Sequence, residues 1–375
     1  MQVMTPGENV RNLNPVVTSD DPGERWDIFM AGHPDGHLMQ SRAWARVKAD
    51  TGWTPLFLRL EDDGRIRAAA LILRRKIPGT TLSLLYIPQG PVLEWDDLVL
   101  VEMFAVALRQ VAGDQRAFLV QADPAIPADR TEVHDALTRM GFQREQKHGL
   151  FRVSQPIHVM RIPMDRYDGP QGLLHALPHK TRYNISLAER RGVIVTPRID
   201  REAFRIFHHL LWEAGQKKGF PVRGDRFHEA IWRHCIQTGL GEYLFATHQG
   251  RMLAAIQVIR FGRTAWYMYG ALTGEEHNLM ATYLLQWTGL SRSWEAGCRC
   301  YDMRGVHSAT PQPEDPEYGV YEFKRKFNAE LVSFVGEYDL VIKPWAYDFW
   351  RWLEYRVQQP ARWAFRLYQN LGSKR

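Results

Sequence analysis

In the stretch GVYEFKRKFNAELVSFVGEYDLVI, Gly319 to Ile342, Lys324 and Lys326 alternate with Phe323 and Phe327. A lysine held among aromatic side chains is stripped of water and can be aimed at developing negative charge, as an oxyanion donor in acyl transfer must be. The same spacing also suits surface lysines in a short aromatic turn ahead of a final strand. A second basic segment, LPHKTRYNISLAERRGV, gathers Lys180, Arg182, Arg190 and Arg191 around Tyr183. Such a helix holds phosphate or an RNA backbone; alternatively it is a solvated face with Tyr183, Ile185 and Leu187 turned inward. In QSRAWARVKADTGW, Gln40 to Trp53, an amphipathic helix turns Trp44 and Val47 inward and ends near Lys48. That lysine either meets a phosphate or complements the helix C-terminus.

Other chemistries lack their motifs. There is no Gly-x-Ser-x-Gly elbow and no His-Glu-x-x-His helix. The three cysteines, Cys235, Cys298 and Cys300, have neither disulfide nor zinc spacing. Unpaired thiols fit a reducing cytosol, and neither a metal nor a cofactor is expected.

The elements that must position these residues occur twice. LFLRLEDDGRIRAAALILRR (Leu56–Arg75) and YLFATHQGRMLAAIQVIRF (Tyr243–Phe261) each read as strand, tight Gly turn and strand. After the first come a strand in TLSLLYIPQGPVL, a helix over Asp97–Gly113 and a strand in RAFLVQADP. After the second come the strand TAWYMYGALT, a helix over Leu279–Gly297 and the strand CRCYDMRG. Period-two alternation in the strands and helical spacing of Leu279, Tyr283 and Leu290 support both readings. This order is the core of an acyl-CoA N-acyltransferase-like (GNAT-like) domain. The expected fold class is therefore α+β, with two tandem GNAT-like domains. The expected divisions are an N-terminal extension over 1–36, domains over 37–154 and 155–342, and an aromatic, basic tail over 343–375. No heptad run predicts a coiled-coil arm. The pyrophosphate loop of acyl-CoA enzymes is missing, with YIPQGP and Gly270-Ala271-Leu272 standing in its two places. An acyl donor other than acyl-CoA is the expectation.

At 375 residues, 45% hydrophobic, the chain is long enough for two cores. Its net charge of +6 suits an anionic partner without requiring one. The N-terminal residues lack the pattern of a signal peptide and no apolar run is long enough to span a bilayer, so a cytoplasmic protein is expected.

The sequence resembles the FemABX peptidyltransferases, in the shorter FemX-like form. The resemblance runs from about Leu38 to Leu353 through QSRAWARVK, YIPQGPVL, KTRYNISLAERRGV, YMYGALTGEEHNLMATYLLQW, YDMRGV and YGVYEFKRKFNAELVSFVGEYDLVI, all in the family's order. It implies transfer of an amino acid from aminoacyl-tRNA to the stem peptide of a peptidoglycan precursor, UDP-MurNAc-pentapeptide or lipid II. It implies that Lys48 and Arg223 bind the precursor's phosphates, with Tyr269, or its neighbour Tyr267, lining the same groove. Phe323 and Lys324 match the pair implicated in binding the tRNA end and in stabilising the tetrahedral intermediate. Lys180, Arg182 and Lys326 are the expected tRNA contacts. Three positions depart from the family pattern. Phe227 replaces a substrate-contacting tyrosine, Gln89 replaces a basic residue, and YDMRGV stands in place of a Gly-Gly version. The acyl-CoA enzyme and a non-catalytic RNA- or membrane-binding scaffold are the alternatives.

The tail interleaves Trp345, Phe349, Trp350, Trp352, Tyr355, Trp363, Phe365 and Tyr368 with Arg351, Arg356, Arg362, Arg366, Lys374 and Arg375. An amphipathic aromatic and basic helix lies in the interface of an anionic leaflet; otherwise these aromatics cap the second core. Peripheral contact with the inner membrane surface and a monomer are the expectations.

Overall fold

A computed structural model describes residues 13–144, 155–219, 222–274, 277–315, 317–353 and 356. The first half runs through β1 (Asn14–Thr18), α1 (Glu24–Gly32), α2 (Arg42–Asp50), β2 (Thr54–Asp62) and β3 (Arg65–Lys76). It continues with β4 (Ser83–Ile87), β5 (Val92–Leu93), α3 (Leu98–Asp114), β6 (Ala117–Ala122), α4 (Thr131–Arg139) and β7 (Gln143–Arg144). The second half opens with β8 (His158–Pro163), α5 (Gly169–Ala176), α6 (His179–Arg190), β9 (Ile194–Arg198), α7 (Arg201–Lys218) and α8 (Asp225–Ile231). There follow β10 (Gly241–His248), β11 (Arg251–Phe261), β12 (Thr264–Leu272), α9 (Ala281–Glu295) and β13 (Cys300–Gly305). Last come α10 (Tyr318–Arg325), β14 (Glu330–Ser333), β15 (Tyr338–Val341) and a helix, α11, over 344–353.

The repeat is real down to its irregularities. In both hairpin turns the two central residues take positive φ: Asp63 and Gly64 at 45° and 73°, Gln249 and Gly250 at 49° and 77°. This is the turn whose twist matches the strands it joins, and glycine adopts its second position without a Cβ clash. Both hairpins carry a register shift at the same distance from the turn, between Leu60 and Glu61 and between Ala246 and Thr247. The sheets run β1-β2-β3-β4-β6-β15-β7 and β9-β10-β11-β12-β13-β8-β14. The parallel pairs β4–β6 and β12–β13 occupy equivalent places.

The halves differ in what fills the sixth place of each sheet. Beside β13 it is β8, from the start of the second half; beside β6 it is β15, from its end. Tyr338–Val341, read from sequence as closing the second domain, thus belongs to the first sheet, where it saturates the otherwise open edge of β6. The residues before 37 are not a bare extension either: β1 pairs with β2, and Trp26 and Met30 of α1 are buried. A third correction concerns Tyr318–Arg325, expected as a turn, which is a helix with Lys324 on its buried face.

Each sheet has its own core on one face, under α3 and α4 in the first half and under α5, α6 and α9 in the second. A third apolar cluster joins the halves: Trp26, Trp44, Phe57 and Phe118 meet Phe207, Phe227, Tyr243 and Trp266. At roughly 1.5–3 kcal/mol for each large apolar side chain fully buried, this seam fixes one half against the other. Trp44 stands edge-on to Phe227 at 6.1 Å, and His37 to Trp266 at 4.8 Å. The site lies along this seam.

Candidate active site

Lys324 is buried by its place on α10, and its Nζ donates to the carbonyl oxygens of Gly305 at 2.6 Å and Arg304 at 3.2 Å. An ammonium carries three N–H groups, so one is left over. Burial pushes the lysine down to about 8, against the pull of Asp302. Beside it lies a largely apolar cavity of about 260 Å³, walled by Ala254–Ile256, Gly270–Leu272, Tyr267 and Phe323. Phe323 is held edge-on to Tyr283 at 5.6 Å and to Phe327 at 5.4 Å. Gly270 makes this wall: a Cβ there would stand 2.0 Å from the Tyr267 hydroxyl oxygen. The arrangement offers one cationic donor at the rim of a largely apolar, concave space, which suits a developing oxyanion.

A second cluster sits on the seam. Lys48 is buried within 5.7 Å of the Trp44 and Trp53 ring centres and 5.9 Å of Phe227. Burial, then Arg223 and Arg75, push its ammonium down to about 8, while Asp123 opposes. Arg223 is exposed and stacks over Phe227 at 4.9 Å. Burial raises the Tyr269 hydroxyl, and hydrogen bonding to Arg223 opposes the rise. Lys48, Arg75 and Arg223, gathered over the Trp53 and Phe227 rings, are three cations that could together hold a multiply charged anion.

A bulge in β12 decides between the two tyrosines. The pairing shifts between Gln257 and Val258, which face Tyr269 and Tyr267 respectively. Tyr269 therefore packs on the seam beside His228, at 5.1 Å between ring centres, while Tyr267 packs in the second core and lines the cavity. The bulge thus separates the two tyrosines left open by the sequence: Tyr269 faces the seam and Tyr267 the cavity.

Between groove and cavity runs a polar network that motif reading missed. Asp123 at the end of β6 is buried, accepting from the Gln89 N–H and the Tyr86 hydroxyl, each at 2.7 Å. Burial holds its carboxyl up at about 7, and those two bonds oppose the rise. Gln89, noted only as a departure, also donates from its side chain to the Asp123 carbonyl at 2.7 Å. Within the second half, Arg304 donates to Gln155 at 2.9 Å, and Asp302 on β13 takes the guanidinium of Arg161 on β8 at 3.0 Å. The sequence signal was thin: one aspartate after an apolar strand, in QADP.

The FemAB family pattern matches residues 22–234 and 240–355 of this chain. The chain belongs to the FemAB family. Among similar FemAB-type proteins, the lipid II:glycine glycyltransferase of Staphylococcus saprophyticus is 24% identical over 380 residues, covering 84% of this chain and 91% of that protein. That of Staphylococcus aureus (strain bovine RF122) is 25% identical over 385 residues, covering 84% and 90%. Both are transferases, and this chain is an enzyme of that kind. The crystal structure of FemX superimposes with a TM-score of 0.81 at 21% identity, covering 90% of this chain and 99% of FemX. A tandem GNAT protein from the clavulanic acid pathway gives 0.50 at 14% identity, covering 87% and 98%. The tandem GNAT-like architecture expected from the repeat is thereby shown.

The other expected contacts of this FemAB enzyme divide. The Thr181 hydroxyl donates to the Lys326 carbonyl at 2.7 Å, which brings the start of α6, with exposed Lys180, against the end of α10. Arg182 is committed to the fold, donating to the carbonyls of His175 at 2.6 Å and Leu177 at 2.8 Å. Tyr183 is not turned inward but exposed, 5.8 Å from the Arg190 guanidinium. Of the tail, Trp350 packs on Phe118 at 5.7 Å, whereas Trp345, Phe349 and Trp352 are exposed. Tyr355, Trp363, Phe365, Tyr368, Arg362, Arg366, Lys374 and Arg375 lie outside the described residues. Among the described residues no helix is long and apolar enough to cross a membrane, and no cluster of His, Cys, Asp and Glu could hold a metal ion.

Proposed function

We propose that this enzyme moves an amino acid from aminoacyl-tRNA to the side-chain amine of the stem peptide of a peptidoglycan precursor, UDP-MurNAc-pentapeptide or lipid II, and so builds the interpeptide bridge. The observation that carries the reading is Lys324, with one N–H to spare at the wall of a largely apolar cavity. The activity of the staphylococcal relatives, glycine transfer to lipid II, supports the acceptor.

The donor is an ester already activated on the tRNA ribose, so a covalent enzyme intermediate is unnecessary. The neutral amine attacks the ester carbonyl; a C–N bond forms and the carbonyl oxygen takes up the electron pair. Lys324 donates to that O⁻, one such donor being worth about 3–4 kcal/mol. Collapse breaks the C–O bond to the ribose, whose hydroxyl takes the amine's proton. Phe323 walls the donor's cavity beside Lys324. Lys48, Arg223 and Tyr269 hold the precursor's phosphates over Phe227, and the basic edge of Lys180 and Lys326 follows the RNA. Trp345, Phe349 and Trp352, on one exposed stripe of α11 with Arg356 nearby, rest on the anionic leaflet that carries a lipid-linked acceptor. The duplication supplies both halves of the site in one chain, so a monomer suffices.

The test is transfer of label from a pool of charged tRNA to either precursor, with ribonuclease in one arm and labelled acetyl-CoA replacing tRNA in another. Label that ribonuclease abolishes supports the reading. Label transferred only from acetyl-CoA replaces it with an acyl-CoA transferase.

A further inference from the structure

Arg304 occupies a backbone conformation that argues for its side chain. Its φ is 64°, in the left-handed region, at an irregularity where the β13–β8 pairing shifts between Asp302 and Gly305. A residue with a Cβ pays on the order of 1 kcal/mol to stay there, and such residues cluster at functional sites. Its main chain is fully used: the N–H donates to Asp302 at 2.7 Å and the carbonyl accepts from Lys324. Any residue would supply those contacts, and glycine would do so without strain. The guanidinium is different. It donates to the neutral Gln155 side-chain amide just ahead of β8, in the same half of the chain, and among the described residues no carboxylate lies within ion-pair distance of it.

The guanidinium is half-buried between the two clusters. Its charge bears on Lys324 on one side and on the Tyr269 hydroxyl and the His37 ring on the other. This is where the acceptor's amine must pass between a groove that holds phosphates and a cavity that holds the donor ester. With Lys48 and Lys324 already there, a third fixed cation repels an approaching ammonium. It is useful only if the acceptor brings an anion with it. Arginine's planar fork matches a carboxylate in particular.

We infer that Arg304 selects an acceptor whose reactive amine shares its carbon with a carboxylate, as at the side-chain end of diaminopimelate, over a plain lysine-type amine. The inference rests on the function proposed above. The carboxylate binds the guanidinium, and the neighbouring nitrogen is thereby aimed at the carbonyl beside Lys324. Arg304 acts here as a specificity-determining residue, and the residue is not required for the bond-making step itself.

The test uses two nucleotide-linked pentapeptide precursors that are identical except for that one carboxyl group, with diaminopimelate or lysine at the third position. Wild-type enzyme is expected to favour the diaminopimelate acceptor by about tenfold or more in kcat/KM, mostly through KM. Arg304→Gly, which relieves the left-handed backbone, is expected to fold at least as stably and to lose that preference. Its kcat/KM with the lysine acceptor should stay within about threefold of wild type. Arg304→Lys should restore part of the preference. Equal use of both acceptors by wild type, or a preference that survives in Arg304→Gly, overturns the inference while leaving the proposed function standing. So does a rise in KM for aminoacyl-tRNA that is the same with either acceptor, which would make Arg304 a contact to the tRNA's phosphate. Absence of transfer to both acceptors in wild type removes the functional reading and this inference with it.

Discussion

The Lys324 Nζ lies 2.6 Å from the carbonyl oxygen of Gly305. This bond fixes a mobile lysine head against the end of β13 and aims its remaining N–H without a carboxylate partner. An ion pair would have spent the charge. Two carbonyl acceptors orient the ammonium and leave it able to respond to an oxyanion. Gly305 permits the arrangement, since a Cβ there would stand 2.7 Å from Pro156.

Replacing Lys324 by methionine keeps the length and the apolar stem and removes the donor. Turnover is expected to fall by about two orders of magnitude or more, while precursor affinity changes little. Steady-state transfer assays and precursor binding by calorimetry check this together. Near-wild-type turnover would end the role.

The pH profile follows from the same residue. Burial brings Lys324 down to about 8, so it sheds its proton at lower pH than an ordinary lysine. As the protonated form is the proposed oxyanion donor, kcat should fall as pH rises through about 8. Lys324→Arg holds its charge throughout, and its profile should lose that alkaline limb at a lower ceiling. A wild-type rate still climbing at high alkaline pH would contradict the assignment.

In the proposed function, Lys48 is a phosphate-binding group kept at a cost to stability. Its folded pKa of about 8 lies below its unfolded value. The unfolded chain therefore binds more protons between those values, and stability rises with pH across that window. Lys48→Met should raise the melting temperature at neutral pH by a few degrees and flatten that rise. It should also raise KM for the precursor about tenfold. A lower melting temperature with unchanged KM would make Lys48 a structural residue only.

The exposed stripe on α11 predicts a lipid dependence. A triple substitution of Trp345, Phe349 and Trp352 by serine leaves Trp350 packed on Phe118 and should not unfold the helix. Flotation with anionic vesicles is expected to fall about tenfold or more, with activity on the soluble nucleotide precursor retained. Unchanged flotation would remove the membrane contact.

Much of this architecture was legible because the repeat speaks twice. Each hairpin carries its own Gly turn and alternation, and each copy corroborates the other. What local pattern could not convey was pairing between distant segments. The apolar run holding Tyr338 and Leu340 says strand, and nothing in it says which sheet. Tyr267 and Tyr269, two residues apart, share one face in a regular strand; the bulge between them sends them to opposite faces. Lys48 reads as a helix-end lysine until Phe227 closes over it from elsewhere in the chain. Asp123 gave no motif because its partners, Tyr86 and Gln89, lie on another strand and its following loop. Lys324 stood out beside Phe323, but its burial follows from the face of α10 it occupies, which a turn would not have given.

The most direct measurement is the mass of the acceptor after reaction. UDP-MurNAc-pentapeptide and lipid II are each incubated with purified enzyme, total tRNA, synthetases and all amino acids, and analysed by mass spectrometry. A gain equal to one amino-acid residue that requires tRNA is the predicted result, and its size names the amino acid. No gain with either precursor, or a gain of an acetyl group only when acetyl-CoA is supplied, would contradict the assigned reaction.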